Sequence, residues 1–196
     1  MSNVTVKDLE ILQTLAKEAG FDYQFELESG KILVMGPSDI VSSEITMRLG
    51  GSIYAWVNPR RLGRVFDSAG GFILPDSNLK APDVSFVKAE RLRRSIRYFA
   101  EMVPDLAVEI KSQSDNADAT LRERIPPLQK KLKKYIELGV QVAILIDPDE
   151  ETVAIYRPTG DTVELAGDDI LTIPELFPGW EISISELWPP IFEEEE

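Results

Sequence analysis

A glutamate and a lysine stand two residues apart in a segment that otherwise has the composition of a buried strand. In residues 104–112, alternate apolar side chains would face one side of a sheet, and Glu109 and Lys111 would face the other. Burying such charges is costly, so a strand usually carries them because a site needs them. Upstream, Asp83 opens a second apolar strand. An Asp, a Glu and a Lys on neighbouring strands are the minimal set for metal-dependent phosphodiester hydrolysis.

The Glu109-Ile110-Lys111 triplet is not specific by itself, because a chain with 34 acidic residues should contain such a triplet once or twice by chance. Its position gives it meaning, since it lies on a strand expected to be buried, after a strand led by Asp83 and before a basic helix. The alternative is an edge pair on a solvent-exposed strand face, as sheets often have one wet face. The residues alone leave both interpretations open.

Histidine and cysteine are both absent from the 196 residues. This composition excludes histidine-based triads, disulfides and the usual zinc sites. A metal would have to be held by oxygen ligands, which favours Mg²⁺ or Mn²⁺. The lack of cysteine fits a cytoplasmic location, and charges at Lys7, Asp8 and Glu10 argue against a signal peptide. No apolar run reaches the length of a membrane span, so we expect no membrane partner.

The net charge of −13 argues at first against a polyanionic partner, but basic residues are concentrated in two places. Residues 88–97 and residues 122–134 each carry a clear excess of lysine and arginine. Two basic islands on an acidic body would permit local phosphate contacts while limiting non-specific adhesion. The alternative is that both islands are solvated helix faces.

The pattern of apolar residues predicts a mixed α/β domain over residues 1–190, followed by an acidic tail over 191–196. The predicted helices are 5–19 with Thr5 as N-cap, 42–56, 89–97, and 126–138 ended by Gly139. The predicted strands are 23–28 and 31–35 as a hairpin, 64–66, 71–74, 83–87, the Glu109 strand, 142–146, and 152–156 as a second hairpin. No glycine-rich phosphate loop precedes a helix.

Several segments in a fixed order extend over most of the chain and are more specific than the triplet. They are residues 62–66, 71–72, 81–87, 103–109, 138–140, 147–148, 155–158 and 176–180. This set resembles the PD-(D/E)XK nuclease superfamily, and within it a bacterial family of restriction endonucleases. The resemblance implies a restriction-endonuclease-like α/β core, in which helices flank a mixed β-sheet and β-hairpins are added. It also implies a Mg²⁺- or Mn²⁺-dependent endonuclease site that acts on DNA.

The resemblance implies roles for individual residues. Asp83, Glu109 and the Ile110 carbonyl match the metal ligands, and Lys111 matches the catalytic lysine. Relatives usually carry an acidic residue just after the proline before the second helix. Here Val41 and Ser42 stand near that place, and Glu44 is the nearest acid assigned to the role. The expected DNA contacts are Gln129 and Lys131, which match polar positions on the helix after the catalytic strand, with Arg91, Arg93, Arg94 and Arg97 along the backbone.

Asp83 follows Pro82 and Asp105 follows Pro104, and strand geometry distinguishes these two Pro-Asp pairs as candidate metal ligands. Asp105 precedes Glu109 by four residues on one strand, which places its Cα about 13 Å away at a rise of ~3.3 Å per residue. Two carboxylates that far apart can hardly share an ion that needs Mg–O bonds of ~2.1 Å. Asp83, on another strand, can approach Glu109 laterally. We therefore expect Asp105, and likewise Asp147, to be a structural turn residue.

Two other functions stay open at this stage. One is a catalytically silent module on the same fold that binds DNA or a protein partner, because a fold does not fix a function. The other is an acidic interaction protein whose carboxylates are solvated. Metal-dependent cleavage would distinguish an enzyme from both. A homodimer is left open as an oligomeric state.

Overall fold

The computed structural model describes residues 4–112 and 128–192. In this part of the chain the helices are α1 (Val6–Glu18), α2 (Ile40–Arg60) and α3 (Leu128–Glu137). The first seven strands are β1 (Gln24–Glu28), β2 (Lys31–Met35), β3 (Gly63–Asp67), β4 (Phe72–Ile73), β5 (Leu79–Lys80), β6 (Val84–Lys88) and β7 (Leu106–Ile110). The others are β8 (Val142–Asp147), β9 (Thr152–Tyr156), β10 (Thr162–Ala166), β11 (Ile170–Thr172) and β12 (Glu181–Ser183), before a 3₁₀ turn at Ile184–Glu186.

The central sheet has six strands in the order β10-β9-β8-β7-β6-β3. It is mixed, because β7 and β8 run parallel while the other neighbours are antiparallel. A second sheet, in the order β2-β1-β5-β4, and the β11-β12 hairpin are added to this core. The predicted fold class, a mixed sheet flanked by helices with additional hairpins, is confirmed.

The two faces of the central sheet are covered by different elements. Leu106, Val108 and Ile110 of β7 lie in one core with α2 and the segment around Phe177. On the other face, Ala107 packs in a second core with residues of α3. The alternation expected for β7 is therefore observed, and it directs Glu109 toward α3.

The predicted ends of several elements are confirmed, because local residues satisfy the backbone hydrogen bonds there. Thr5 caps α1 in a reciprocal capping box with Asp8. Gly139 follows α3 with a φ of +107°, a left-handed conformation that favours glycine. The hairpin at Ser29-Gly30 also forms as predicted, with β1 and β2 in antiparallel register.

Three predictions about elements were wrong. Helix α2 begins at Ile40 rather than Ser42, because the Asp39 carboxylate caps it by accepting the Ser42 N–H at 2.9 Å. The same helix ends at Arg60 rather than Trp56. Residues 89–97 form turns instead of a helix. Only Leu92 of that segment is buried, so no apolar stripe stabilises a helix there. The short strand β5 was missed.

The helix predicted over 126–138 corresponds to α3. Its predicted start at residue 126 lies outside the described residues, as do Arg122 and Arg124 of the second basic island. Within the described ranges, α3 begins at Leu128. None of the helices described has the length and apolar character needed to cross a bilayer.

Candidate active site

Asp83 and Glu109 are brought together by the pairing of β6 with β7. The antiparallel register pairs Val84 with Val108, and one further step sets Asp83 opposite Glu109. The Asp83 carboxylate accepts the Ile110 N–H at 2.7 Å, which fixes it against the end of β7. The structure thus joins the three residues expected to hold a cation, and Ile110 contributes its backbone.

Glu109 is buried and both of its oxygens are engaged by α3. The Lys131 ammonium lies 2.9 Å from each oxygen, and the Tyr135 hydroxyl donates to Oε1 at 2.8 Å. Lys131 and Tyr135 are four residues apart, so they project from one face of α3. Lys131 was expected to contact DNA, but here its ammonium contacts Glu109.

Burial raises the pKa of Glu109 to about 7, against the attraction of Lys131 and with added repulsion from Asp83 and Glu26. Burial lowers the pKa of Lys131, but the carboxylates of Glu109 and Glu26 outweigh it and leave that pKa raised. Burial, with Glu109 beside it, also raises the pKa of Tyr135. Burial is the largest cause of the raised pKa values of Glu109 and Tyr135, whereas the neighbouring carboxylates decide the direction for the pKa of Lys131.

Glu26 of β1 was missed by the sequence analysis. Its carboxylate is buried, accepts from the Lys80 ammonium at 2.9 Å and from the Ala81 N–H at 3.1 Å, and lies 3.5 Å from the Lys131 ammonium. Lys80 also pairs with Glu28 at 2.7 Å. Burial raises the pKa of Glu26, yet Lys131 and Lys80 lower it below its ordinary value. The signal available in the sequence was a glutamate flanked by apolar residues in the first hairpin.

The Lys111 ammonium contacts Asp147 and Asp149 rather than Glu109. It lies 2.8 Å from Asp147 Oδ2, at the last residue of β8 rather than in the expected turn, and 3.0 Å from Asp149 Oδ2 in the turn that follows. Hydrogen bonding to Asp147 raises the pKa of Lys111. The ion pair between Lys111 and Glu109 that the sequence allowed is not among the contacts of the described residues.

Glu44 lies in α2 and forms an ion pair with Arg48 at 2.7 Å. The contact between α2 and the end of β7 is made instead by Ser42, whose hydroxyl donates to the Lys111 carbonyl at 3.2 Å. Asp39, which caps α2 and also accepts from that hydroxyl at 2.9 Å, is the acid that sequence reasoning overlooked after Pro37.

Asp105 has a structural environment, as expected. Its carboxylate is fully buried and accepts from the Lys88 N–H at 2.8 Å and from Gln141 Nε2 at 2.6 Å. Arg91 completes the arrangement at 2.8 Å and also donates to the Val103 carbonyl. Arg91 is therefore committed to the protein's own carboxylate and carbonyl, whereas a DNA contact had been predicted.

The remaining predicted DNA contacts are surface residues. Arg93, Arg94 and Arg97 are exposed on the turns of residues 89–97, and Gln129 is exposed at the start of α3. The structure brings none of them into the group around Glu109.

The donor set around Glu109 suits a hard cation, because it consists of carboxylate and carbonyl oxygens. No three acidic side chains among the described residues form a ready-made cage for a metal. The Lys131 ammonium lies between Glu26 and Glu109 and supplies positive charge at the place where a metal cation would bind. With every group ionised the cluster carries two more negative than positive charges, a deficit that one divalent cation would balance. Its members are Glu26, Glu28, Asp83, Glu109, Lys80 and Lys131.

Comparison with known proteins identifies the family of the chain. A solved structure from Anabaena variabilis ATCC 29413, titled a "putative nuclease belonging to DUF820", superposes with a TM-score of 0.69 at 25% sequence identity. The likeness covers 88% of this chain and 96% of that one. The search of curated proteins gave no match. The Uma2 family, described as "Putative restriction endonuclease", matches residues 9–185. By that match, which includes both strands and the helix of the site, the chain belongs to the Uma2 family.

Proposed function

We propose that this protein is a metal-dependent endonuclease that hydrolyses phosphodiester bonds of DNA. The observation that carries the proposal is the convergence of Asp83 and Glu109 at one end of the central sheet, with the Ile110 N–H fixing the first carboxylate. The family match and the similar fold of a protein titled as a nuclease support the same reaction class.

In this proposal Asp83, Glu109 and the Ile110 carbonyl hold Mg²⁺ or Mn²⁺. When bound, the cation lowers the pKa of a water molecule and offsets charge on the phosphate. The water oxygen bonds to phosphorus as the bond from phosphorus to one sugar oxygen breaks. The water loses a proton and the departing oxygen gains one, so the products are a phosphate monoester and a hydroxyl group.

A lysine ammonium beside the phosphate stabilises the negative charge that develops there. The family resemblance gives this role to Lys111, whereas Lys131 is the lysine in contact with Glu109. Glu44 faces Arg48 and would reach the cation only through water. The exposed Arg93, Arg94, Arg97 and Gln129 would contact the DNA backbone outside the cleavage centre.

The test is cleavage of supercoiled plasmid by purified protein across a titration of Mg²⁺ and Mn²⁺, with chelator as the control. We expect nicking that requires the cation and falls by about 10²-fold or more in Asp83→Asn and Glu109→Gln. Glu18→Gln, which changes an exposed acid of α1, is the matched acid-to-amide control and should cleave within about threefold of wild type. Cleavage that persists in both site variants would refute the proposal.

A second candidate is a catalytically silent module that binds DNA or a protein. It is favoured by one observation: both oxygens of Glu109 are already occupied by protein groups. Cation-independent DNA binding together with no cleavage at any cation concentration would support this function.

A further inference from the structure

Helix α3 inserts an ammonium between carboxylates from two different sheets. The Lys131 nitrogen lies 2.9 Å from Glu109 of the central sheet and 3.5 Å from Glu26 of the second sheet. All three side chains are largely shielded from solvent, with 16%, 7% and 6% of their surface exposed in turn. Three charged groups are seldom buried together without a function, because each one costs desolvation energy.

Glu26 is also connected to the strand that carries Asp83. Its second partner is Lys80, and its third is the Ala81 N–H, so the backbone that leads into Asp83 is fixed by Glu26 itself. A carboxylate with a purely structural task would be satisfied by these two partners. Its additional approach to Lys131 directs it toward Glu109.

Lys111 has the contacts of a structural residue. Asp147, which holds the Lys111 ammonium, also accepts the Asp149 N–H at 3.1 Å and so fixes the turn after β8. Asp149 adds its own carboxylate at 3.0 Å. Lys111 therefore fastens the end of β7 to the β8–β9 turn, and two acidic partners neutralise its charge.

We propose that Glu26 and Lys131 complete the cation site of Asp83 and Glu109, with Lys131 as the lysine of the site and Lys111 as a structural tie. Glu26 adds a third carboxylate. Lys131 leaves the Glu109 oxygens when a divalent cation takes them, and its ammonium then contacts the phosphate or the attacking water. The catalytic part of this inference rests on the proposed function, while the composition of the cation site does not.

The experiment compares Lys131→Gln, Lys111→Gln and Lys130→Gln, where Lys130 is an exposed lysine of the same helix. Calorimetry measures Mn²⁺ affinity, and plasmid nicking measures turnover on the same preparations. Removing a positive charge a few ångströms from a divalent cation should raise Mn²⁺ affinity in Lys131→Gln by about tenfold. Its nicking should nevertheless fall by about 10²-fold. The other two variants should stay within about threefold of wild type in both measurements.

Two further variants keep the test decisive. Glu26→Gln should weaken Mn²⁺ binding by about tenfold, because it removes one carboxylate charge from the site. Lys131→Arg keeps the charge in case Lys131→Gln does not fold, which urea unfolding will reveal. We expect Lys131→Arg to bind Mn²⁺ close to wild type and to nick at least about tenfold more slowly, because a guanidinium cannot replace an ammonium geometrically.

The outcomes separate this inference from the proposed function. If wild type never nicks DNA, the proposed function fails, and opposite shifts of Mn²⁺ affinity in Lys131→Gln and Glu26→Gln would still establish the site. If wild type binds no Mn²⁺, a gain of binding in Lys131→Gln supports the inference and its absence overturns it. Unchanged affinity and nicking in the Lys131 variants, or loss of nicking in a folded Lys111→Gln, would overturn it as well.

Discussion

Replacing Asp105 by asparagine should destabilise the fold and leave the proposed cation site intact. The buried carboxylate receives Lys88 N–H on Oδ2, and Gln141 Nε2 and Arg91 on Oδ1. Asparagine has one acceptor oxygen and one NH₂ group in the same shape. Either orientation of the amide therefore turns the NH₂ toward a donor and leaves at least one buried donor unsatisfied.

The magnitude follows from these contacts. One unsatisfied buried donor costs about 1–3 kcal/mol. The lost charge pair with Arg91, whose side chain is 33% exposed, adds at most about 1 kcal/mol after solvent screening. The free energy of unfolding should thus fall by about 1–4 kcal/mol, which lowers the melting temperature by roughly 2–16 °C for a domain of this size.

Asp83→Asn is the matched variant, because it makes the same substitution at the other Pro-Asp pair. Its amide oxygen can still accept the Ile110 N–H, and repulsion with Glu109 is relieved. We expect a change in unfolding free energy within about 1 kcal/mol. Mn²⁺ affinity, measured by calorimetry, should be lost in this variant and kept within about threefold in Asp105→Asn. An Asp105 variant that loses Mn²⁺ binding, or one as stable as wild type in urea, would refute the reasoning.

Further predictions concern packing, the buried hydroxyl and the cation. Gly63→Ala should lower stability by about 1–3 kcal/mol in urea, since its Cβ would collide with the Val87 carbonyl oxygen. Gly51→Ala, whose Cβ meets nothing within 4 Å on helix α2, should instead raise stability by about 0.5–1 kcal/mol. Tyr135→Phe removes a donor to buried Glu109 and should cost about 1–3 kcal/mol in the same assay. Mn²⁺ at a hundred times its dissociation constant should stabilise wild type by about 2.7 kcal/mol in thermal melts, and no shift would contradict a native cation site.

The sequence was sufficient where structure depends on neighbouring residues. The Thr5–Asp8 capping box and the glycine stop at Gly139 are local hydrogen-bond and backbone preferences, and both were predictable. The alternation in β7 was equally readable, because a strand has a period of two. The prediction of a helix over the charge-rich segment 89–97 was wrong. Its residues are compatible with a helix, but they lack the apolar stripe that a helix needs for packing.

The partners of buried charges could not be predicted from spacing. Lys111 and Asp147 are 36 residues apart, and Glu26 and Lys131 are 105 residues apart. Only the docking of β1 and α3 on the two edges of the same site brings the second pair together. Asp83 and Glu109 could be joined in advance because their strands were recognisable and pair with each other in the central sheet.

The separation of Glu26 from Lys131 has a consequence for how this molecule matures. Contacts between residues far apart in sequence form late in folding, because the closure of a long loop must be compensated first. A chain emerging from the ribosome can hold β1, β6 and β7 before it has exposed α3. Until that helix docks, Glu109 lacks both Lys131 and Tyr135. The group of charges around Glu109 is therefore complete only after synthesis has passed α3, the last of its elements along the chain.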